Sequence, residues 1–182
     1  MKTILVPIDF SEQSKYALNF AAQLAKKGNL QVHAINIIEG PQNHTFNTMG
    51  DGFANESEDY FFLKQLIDKT KENMNALLQS KAYSGIDVIG SVEVGNPYQS
   101  ISKAIADHEA DLVVMGSKGA SGIDEVLIGS NTEKVVRFAK CPVVTIKSEV
   151  NLIGIKNIVL ATNLEEDQTK LIQKLKEMQK IT

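Results

Sequence analysis

Asp111-Leu112-Val113-Val114-Met115-Gly116-Ser117-Lys118-Gly119, with Gly129-Ser130-Asn131-Thr132 ten residues further on, is the stretch on which the fold reading turns. Its apolar run is short, rich in valine, and passes straight into glycine. That is the pattern of a strand buried on both faces and ended by a tight turn. A helix reads from about Thr132 to Ala139, and Val143 to Ile146 reads as a further strand. Strand, turn, helix, strand in this order is a parallel crossover unit.

The same alternation extends towards the N-terminus. Ile4-Leu5-Val6-Pro7-Ile8 reads as a strand, and Ser11 is placed to cap a helix carrying Ala17, Leu18, Phe20, Ala21, Leu24 and Ala25. Lys26-Lys27-Gly28-Asn29 supplies the positive last turn and the glycine stop. Val32 to Ile38 and Ile86 to Val94 read as strands, and Pro97 suits the first turn of a helix with Ile101, Ala104, Ile105 and Ala106 inward. Between them, residues 39–57 read as a long loop rich in Gly, Asn and Ser. Helical spacing returns from Glu58 to Lys81, with Phe62, Leu66, Met74, Leu77 and Leu78 as its apolar face.

The expected fold is therefore α/β: a doubly wound five-stranded parallel sheet with helices on both faces. Ligands of such sheets sit beyond the carboxyl ends of the strands, so Asp9, Ile37, Gly95 and Gly116 should converge on one crevice. The tail adds a partial second repeat. Lys156-Asn157-Ile158-Val159-Leu160-Ala161-Thr162-Asn163 parallels Lys2 to Asp9, and each stretch leads into an acidic, Gln-containing helix start. The expected organisation is one ligand-binding α/β domain over 1–148, then 149–182 as a linker with the first strand and helix of a truncated second copy.

Composition narrows the function classes. The 182 residues carry a net charge of −3, which supplies no global basic field for nucleic acid or an anionic membrane. The first apolar run is too short for a signal peptide or a membrane span, so a cytoplasmic location is expected. Cys141, the single cysteine, excludes an internal disulfide and reads as a small buried hydrophobe.

The glycine-rich turn carries the chemistry. Glycines allow close backbone approach, so that amides can face anionic oxygens, and a helix opening after Gly129 adds unpaired N–H groups and a positive dipole end. Lys118 and the hydroxyls of Ser130 and Thr132 extend this set, which suits a polyphosphate. Taken alone, the same residues also describe a flexible glycine loop with a serine cap. Neither a G-x-x-x-x-G-K-[ST] loop nor a G-x-G-x-x-G after the first strand occurs, which argues against P-loop NTPases and Rossmann dehydrogenases.

Gly116, Gly119, Gly129 and Ser130 fit G-x2-G-x9-G-[ST] without a gap, and in this the chain resembles the ATP-binding universal stress proteins. Val6-Pro7-Ile8-Asp9-Phe10-Ser11 and Cys141-Pro142-Val143 resemble that family's first-strand signature and its entry to the last strand. The resemblance covers roughly 1–148 and implies an adenine nucleotide alpha hydrolase-like fold. It implies that Asp9 and Ile37 contact adenine, that Pro7 shapes the strand end, and that Met115 and Gly116 lie along the ribose and first phosphate. Gly119, Gly129, Ser130, Asn131 and Thr132 would hold the phosphates of ATP, or of ADP or AMP, with or without Mg, beside the Lys118 ammonium read above. Asn131 departs from the small aliphatic residue common at that position. The resemblance also implies a homodimer through the fifth strand, or pairing of that edge with a second tandem domain.

No catalytic set stands out. His33, His44 and His108 form no spaced metal pair, and there is no G-x-S-x-G elbow or HxGH motif. Glu56, Glu58, Asp59, Asp124 and Glu125 read as solvated charge, with Mg²⁺ binding the sharper alternative. Three functions stay open: an ATP-binding regulatory stress-response module, a nucleotide-independent dimeric interaction protein, and a slow ATPase.

Overall fold

The computed structural model describes residues 1–40, 53–118, 128–161 and 169–180, with the side chains of 53–59, 170 and 171 excepted. In chain order the elements are β1 (Thr3–Pro7), α1 (Glu12–Gly28), β2 (Gln31–Ile38), α2 (Phe53–Leu78), β3 (Val88–Val94), α3 (Pro97–Asp107), β4 (Leu112–Gly116), α4 (Ser130–Phe138), β5 (Val143–Ile146) and α5 (Thr169–Gln179). One-turn 3-10 helices occupy Lys81–Tyr83 and Leu152–Gly154. The strands form one sheet in the order β3-β2-β1-β4-β5. Every pairing is parallel, as the expected doubly wound sheet requires.

Strand alternation divides the core between the two faces of this sheet. Ile4, Val6 and Ile8 of the first strand point to α1 and α2, where they meet Leu18, Leu24, Met74 and Leu112. Leu5 points the other way, among Ile35, Ile101, Ala104, Val113, Met115 and Val135 beneath α3 and α4. Ile4, Leu5, Val6, Val113 and Val114 are completely buried. Removing each such side chain from water is worth about 1.5–3 kcal/mol, which is why near-continuous apolar strands specify this two-sided burial.

Helix ends follow local chemistry. Ser11 caps α1 by accepting from the Ser14 amide at 3.2 Å, and Asn29 closes it in the left-handed conformation at φ 51°. Asn96 caps α3, accepting from the Gln99 amide at 3.1 Å, with Pro97 in the first turn.

Two expectations are corrected. The helix after β2 begins at Phe53, not Glu58, so only 41–52 of the expected loop lie outside the described residues. Its inner stripe is also rotated. Leu63, Ile67, Thr70, Met74, Leu77 and Leu78 are buried or half-buried, whereas Phe62 and Leu66 are exposed. Gly90 in β3 explains how close the helix comes, because a Cβ there would stand 2.7 Å from both Leu78 Cδ1 and Met74 Cγ.

In the tail, the strand expected over 156–163 does not form in the described residues 155–161. A strand needs a ladder partner for its amides and carbonyls, and residues 155–161 pair with neither edge of the five-stranded sheet. The chain beyond β5 is instead pinned to α1. Gln23 donates to the Val150 carbonyl at 3.1 Å and accepts from the Leu152 amide at 2.8 Å, and Leu152 is buried. A helix, α5, occupies Thr169–Gln179, while the acidic helix start expected at 165–168 lies outside the described residues.

Candidate functional site

β1 is the strand from which the chain moves outward in both directions, so a crevice opens between β1 and β4. Pro7 widens it. In β1 the odd-numbered residues turn their backbone groups towards β4: the Thr3 carbonyl accepts from Asp111 N at 3.0 Å, and Leu5 stands opposite Val113. The even-numbered residues turn towards β2, as when Ile8 donates to the Ile35 carbonyl at 2.8 Å. The next donor owed to β4 would come from residue 7, and proline has none. Pairing of β1 with β4 accordingly ends at Leu5, while pairing with β2 continues through Pro7.

The crevice is a cavity of about 320 Å³, within the range of small-ligand sites. Of the sequence-predicted residues, Pro7, Asp9, Ile37, Met115, Gly116, Lys118, Gly129, Ser130, Asn131 and Thr132 all line it. Gly119 lies outside the described residues. Ile8, Ser14, Ile35, Glu39, Pro97 and Ile101 also line it and were not predicted. Gly95 was expected at the crevice but does not line it. Its amide bonds to the Ile38 carbonyl at 2.9 Å, which holds it beside β2, and Pro97 and Ile101 of α3 form the wall instead.

The turn after β1 is tightly built. Asp9 Oδ1 accepts from the Ser11 amide at 3.0 Å and from Ser11 Oγ at 2.6 Å, an Asx turn that leads into α1. Phe10 between them takes φ 64°, a left-handed conformation that is costly for a bulky residue. Asp9 thus has a structural duty in addition to lining the cavity.

The glycine-rich turn is tied at its base. Ser117 donates its amide to Ile146 at 2.9 Å and accepts at its carbonyl from Gly129 N at 2.8 Å. Thr132 is buried, and its hydroxyl donates to the Gly116 carbonyl at 3.0 Å. That corrects the expectation for this hydroxyl as a phosphate contact, because here it joins α4 to the end of β4. Gly116 leaves no room for a side chain: a Cβ would stand 2.9 Å from Gln13 Cβ and 3.1 Å from the Lys118 carbonyl oxygen.

α4 has Gly129 as its N-cap, with no side-chain cap hydrogen bond, and its first backbone bond runs from Glu133 N to Gly129 O. The amides of Ser130, Asn131 and Thr132 therefore have no acceptor within the helix, and these residues face the cavity. Such a helix start attracts anionic oxygens. Ile35, Ile37, Ile101 and Met115 add apolar lining to the same cavity.

His33 is buried under the same sheet face. Its Nε2 lies 2.8 Å from Ser91 Oγ, and its ring centroid is 3.9 Å from that of His108. Burial, then the neighbouring His108, lowers the His33 pKa from its ordinary 6.5. Burial likewise pushes the Cys141 thiol upward. His44 lies outside the described residues, as do Asp124 and Glu125 and the side chains of Glu56, Glu58 and Asp59. Among the described residues no group of three or more metal-ligating side chains forms, and no helix is long and apolar enough to cross a membrane.

A parallel sheet with an anion-favouring helix start at its strand-order reversal defines a doubly wound α/β protein whose crevice suits a small anionic ligand. The chain belongs to the Universal stress protein family, whose model matches residues 1–147. A Staphylococcus aureus (strain USA300) protein named "Putative universal stress protein" is 27% identical over 168 residues, covering 91% of this chain and 95% of its own. Among solved structures, hypothetical protein MJ0577 is similar with a TM-score of 0.65 and 26% identity, covering 82% of this chain and 98% of that one. The universal stress protein from Archaeoglobus fulgidus, solved in complex with dAMP, has a TM-score of 0.55 at 21% identity and covers 81% of this chain and 98% of its own.

Proposed function

We propose that the crevice binds an adenine nucleotide, ATP foremost, and that occupancy makes the protein a regulatory module of a stress response. The observation that carries this is the polarity of one cavity. Apolar lining from Ile35, Ile37, Ile101 and Met115 suits a base, and the start of α4 with Lys118 suits phosphates. The base would lie towards β2, near Ile37 and Asp9, and the ribose along Met115 and Gly116. Gly119, Gly129, Ser130 and Asn131 would take the phosphates, with Thr132 contributing its backbone amide. Membership of the family and the dAMP complex of a fold relative support the same ligand class. Mg²⁺, where it accompanies ATP, would bind through the phosphates. In this pose the lining carboxylates Asp9 and Glu39 lie at the base end rather than beside the phosphates, so turnover would be slow and binding would be the functional event.

We further propose that β5 carries self-association. Among the described residues it has β4 on one side and no strand on the other, an edge that a second copy or a tandem second domain would cover. The likeness of 156–163 to the first strand motivates the tandem form.

Calorimetric titration of the full chain with ATP and Mg²⁺, beside a Gly129→Val, Ser130→Ala variant, tests the nucleotide reading. Saturable binding that the variant loses is the expected result. No binding by the folded, ligand-free chain would refute it and leave partner binding through β5 as the function.

A further inference from the structure

Among the described residues one fully buried side-chain oxygen has no hydrogen-bond partner: Oγ of Ser117, a residue only 8% exposed. Other buried polar side chains are matched. Ser14 donates its hydroxyl to the Ser11 carbonyl, Asn36 its amide to the Ile8 carbonyl, and His33 meets Ser91. A hydroxyl buried without a partner is a standing cost to the fold, and alanine at the same position would avoid it.

The place of this oxygen points to its use. Ser117 follows β4 and continues the alternation of Val113 and Met115, which pack with Val135 of α4. Its carbonyl accepts from the amide of Gly129, the N-cap of α4, at 2.8 Å. Gly116 and Lys118 on either side of it line the cavity, as do Gly129 and Ser130 across that bond. The hydroxyl therefore lies directly behind the cavity wall, against the start of a nine-residue helix whose first amides have no acceptor within it. Thr132 stands in the same corner, and its hydroxyl is already engaged by the Gly116 carbonyl. The fold thus provides an acceptor for one of two neighbouring hydroxyls and none for the other.

We propose that the Ser117 hydroxyl belongs to the anion site, where it donates to a phosphoryl oxygen held at the start of α4. The inference deepens the nucleotide reading above and rests on it for the ligand. A serine hydroxyl turns about one side-chain torsion, so it can be redirected without moving the backbone that Gly129 and Ile146 hold. A bond from a hydroxyl to a charged oxygen is stronger than one between neutral groups. Here it would displace no bond within the protein, so its value appears as affinity and not as stability of the ligand-free chain.

The test titrates the full-length chain with ATP and, separately, with inorganic pyrophosphate, which has the anion without the base. Wild type is compared with Ser117→Ala and with Ser117→Cys, which nearly keeps the size and leaves only a weak S–H donor. Urea unfolding of each ligand-free chain is the second readout. The expected affinity is about tenfold lower in both variants for each ligand that wild type binds, with the unfolding midpoint of Ser117→Ala no lower than that of wild type. Unchanged affinity, a loss in one variant alone, or a loss accompanied by a lower midpoint in Ser117→Ala would overturn the proposal while the nucleotide reading stands. If wild type binds pyrophosphate but not ATP, the nucleotide reading falls and the pyrophosphate series decides for Ser117. Binding of neither ligand would overturn both.

Discussion

Gly129 donates its amide to the carbonyl of Ser117 at 2.8 Å, and this one bond brings the two ends of the glycine-rich turn together. Ser117 in turn donates to Ile146, so the turn, the end of β4 and the last strand share one fastening. The start of α4 is aimed at the crevice because its cap residue is held there.

Thr132→Val tests the second tie at this point. The substitution keeps the shape and removes the hydroxyl that donates to the buried Gly116 carbonyl. A loss of about 1–3 kcal/mol is expected, read from urea unfolding, with weakened nucleotide binding because α4 is no longer fixed to β4.

Gly116→Ala tests close packing. The new methyl would meet Gln13 Cβ at 2.9 Å, the Gln13 carbonyl carbon at 3.0 Å and the Lys118 carbonyl oxygen at 3.1 Å. Two of these three are backbone atoms and cannot swing aside. Destabilisation of about 1–3 kcal/mol is expected, together with reduced binding in the same crevice. Unchanged thermal unfolding would show that the turn yields more easily than its geometry indicates.

Of the residues expected from strand ends, Asp9, Ile37 and Gly116 came together and Gly95 did not, while Pro7 and Met115 were implied by the family resemblance. Pro7, Asp9, Ile37, Met115 and Gly116 sit at strand ends, where a local pattern determines direction, and all line the cavity. What a distant element decides was not legible. Phe62 and Leu66 share helical spacing as well as Leu63 and Ile67 do, and only the docking of α2 at Gly90 selects the second pair. Pro97 and Ile101 enter the site because α3 crosses above it. Glu39 carried a usable signal, since it continues the alternation Ile35, Ile37, but it falls just past the end of its strand. The tail shows the opposite failure: a strand-like sequence without a sheet neighbour forms no strand.

The pH dependence of stability should reveal His33. Burial and His108 depress its folded pKa below 6.5, so the unfolded chain takes up a proton more readily. Its contribution is fully present above about pH 6.5 and is lost as pH falls from there through the lowered folded value. His108→Gln should reduce the loss by removing the neighbouring charge, measured as thermal unfolding from about pH 7.5 down to about pH 5. A separate, more acidic window belongs to Asp111. Desolvation raises its pKa, but bonds from the Lys2 and Thr3 amides lower it by more, to below 3.8 overall. That stability is present above the ordinary value and lost as pH falls through the depressed one.

Gln23→Ala should release the segment after β5. Both ends of its side-chain amide are engaged there, Nε2 donating to the Val150 carbonyl at 3.1 Å and Oε1 accepting from the Leu152 amide at 2.8 Å. A cost of about 1–2 kcal/mol and faster limited proteolysis beyond Val150 are expected, checked by urea unfolding and by mapping the cleavage sites.

The central claim is that one crevice holds an adenine nucleotide with its phosphates at the start of α4. The most direct measurement is an amide-resolved NMR titration of the full chain with ATP. The account predicts saturable shifts concentrated at Ile37, Met115, Gly116, Ser130 and Asn131, with the tail helix α5 unmoved. Saturable shifts elsewhere, or none at millimolar ATP, would contradict it.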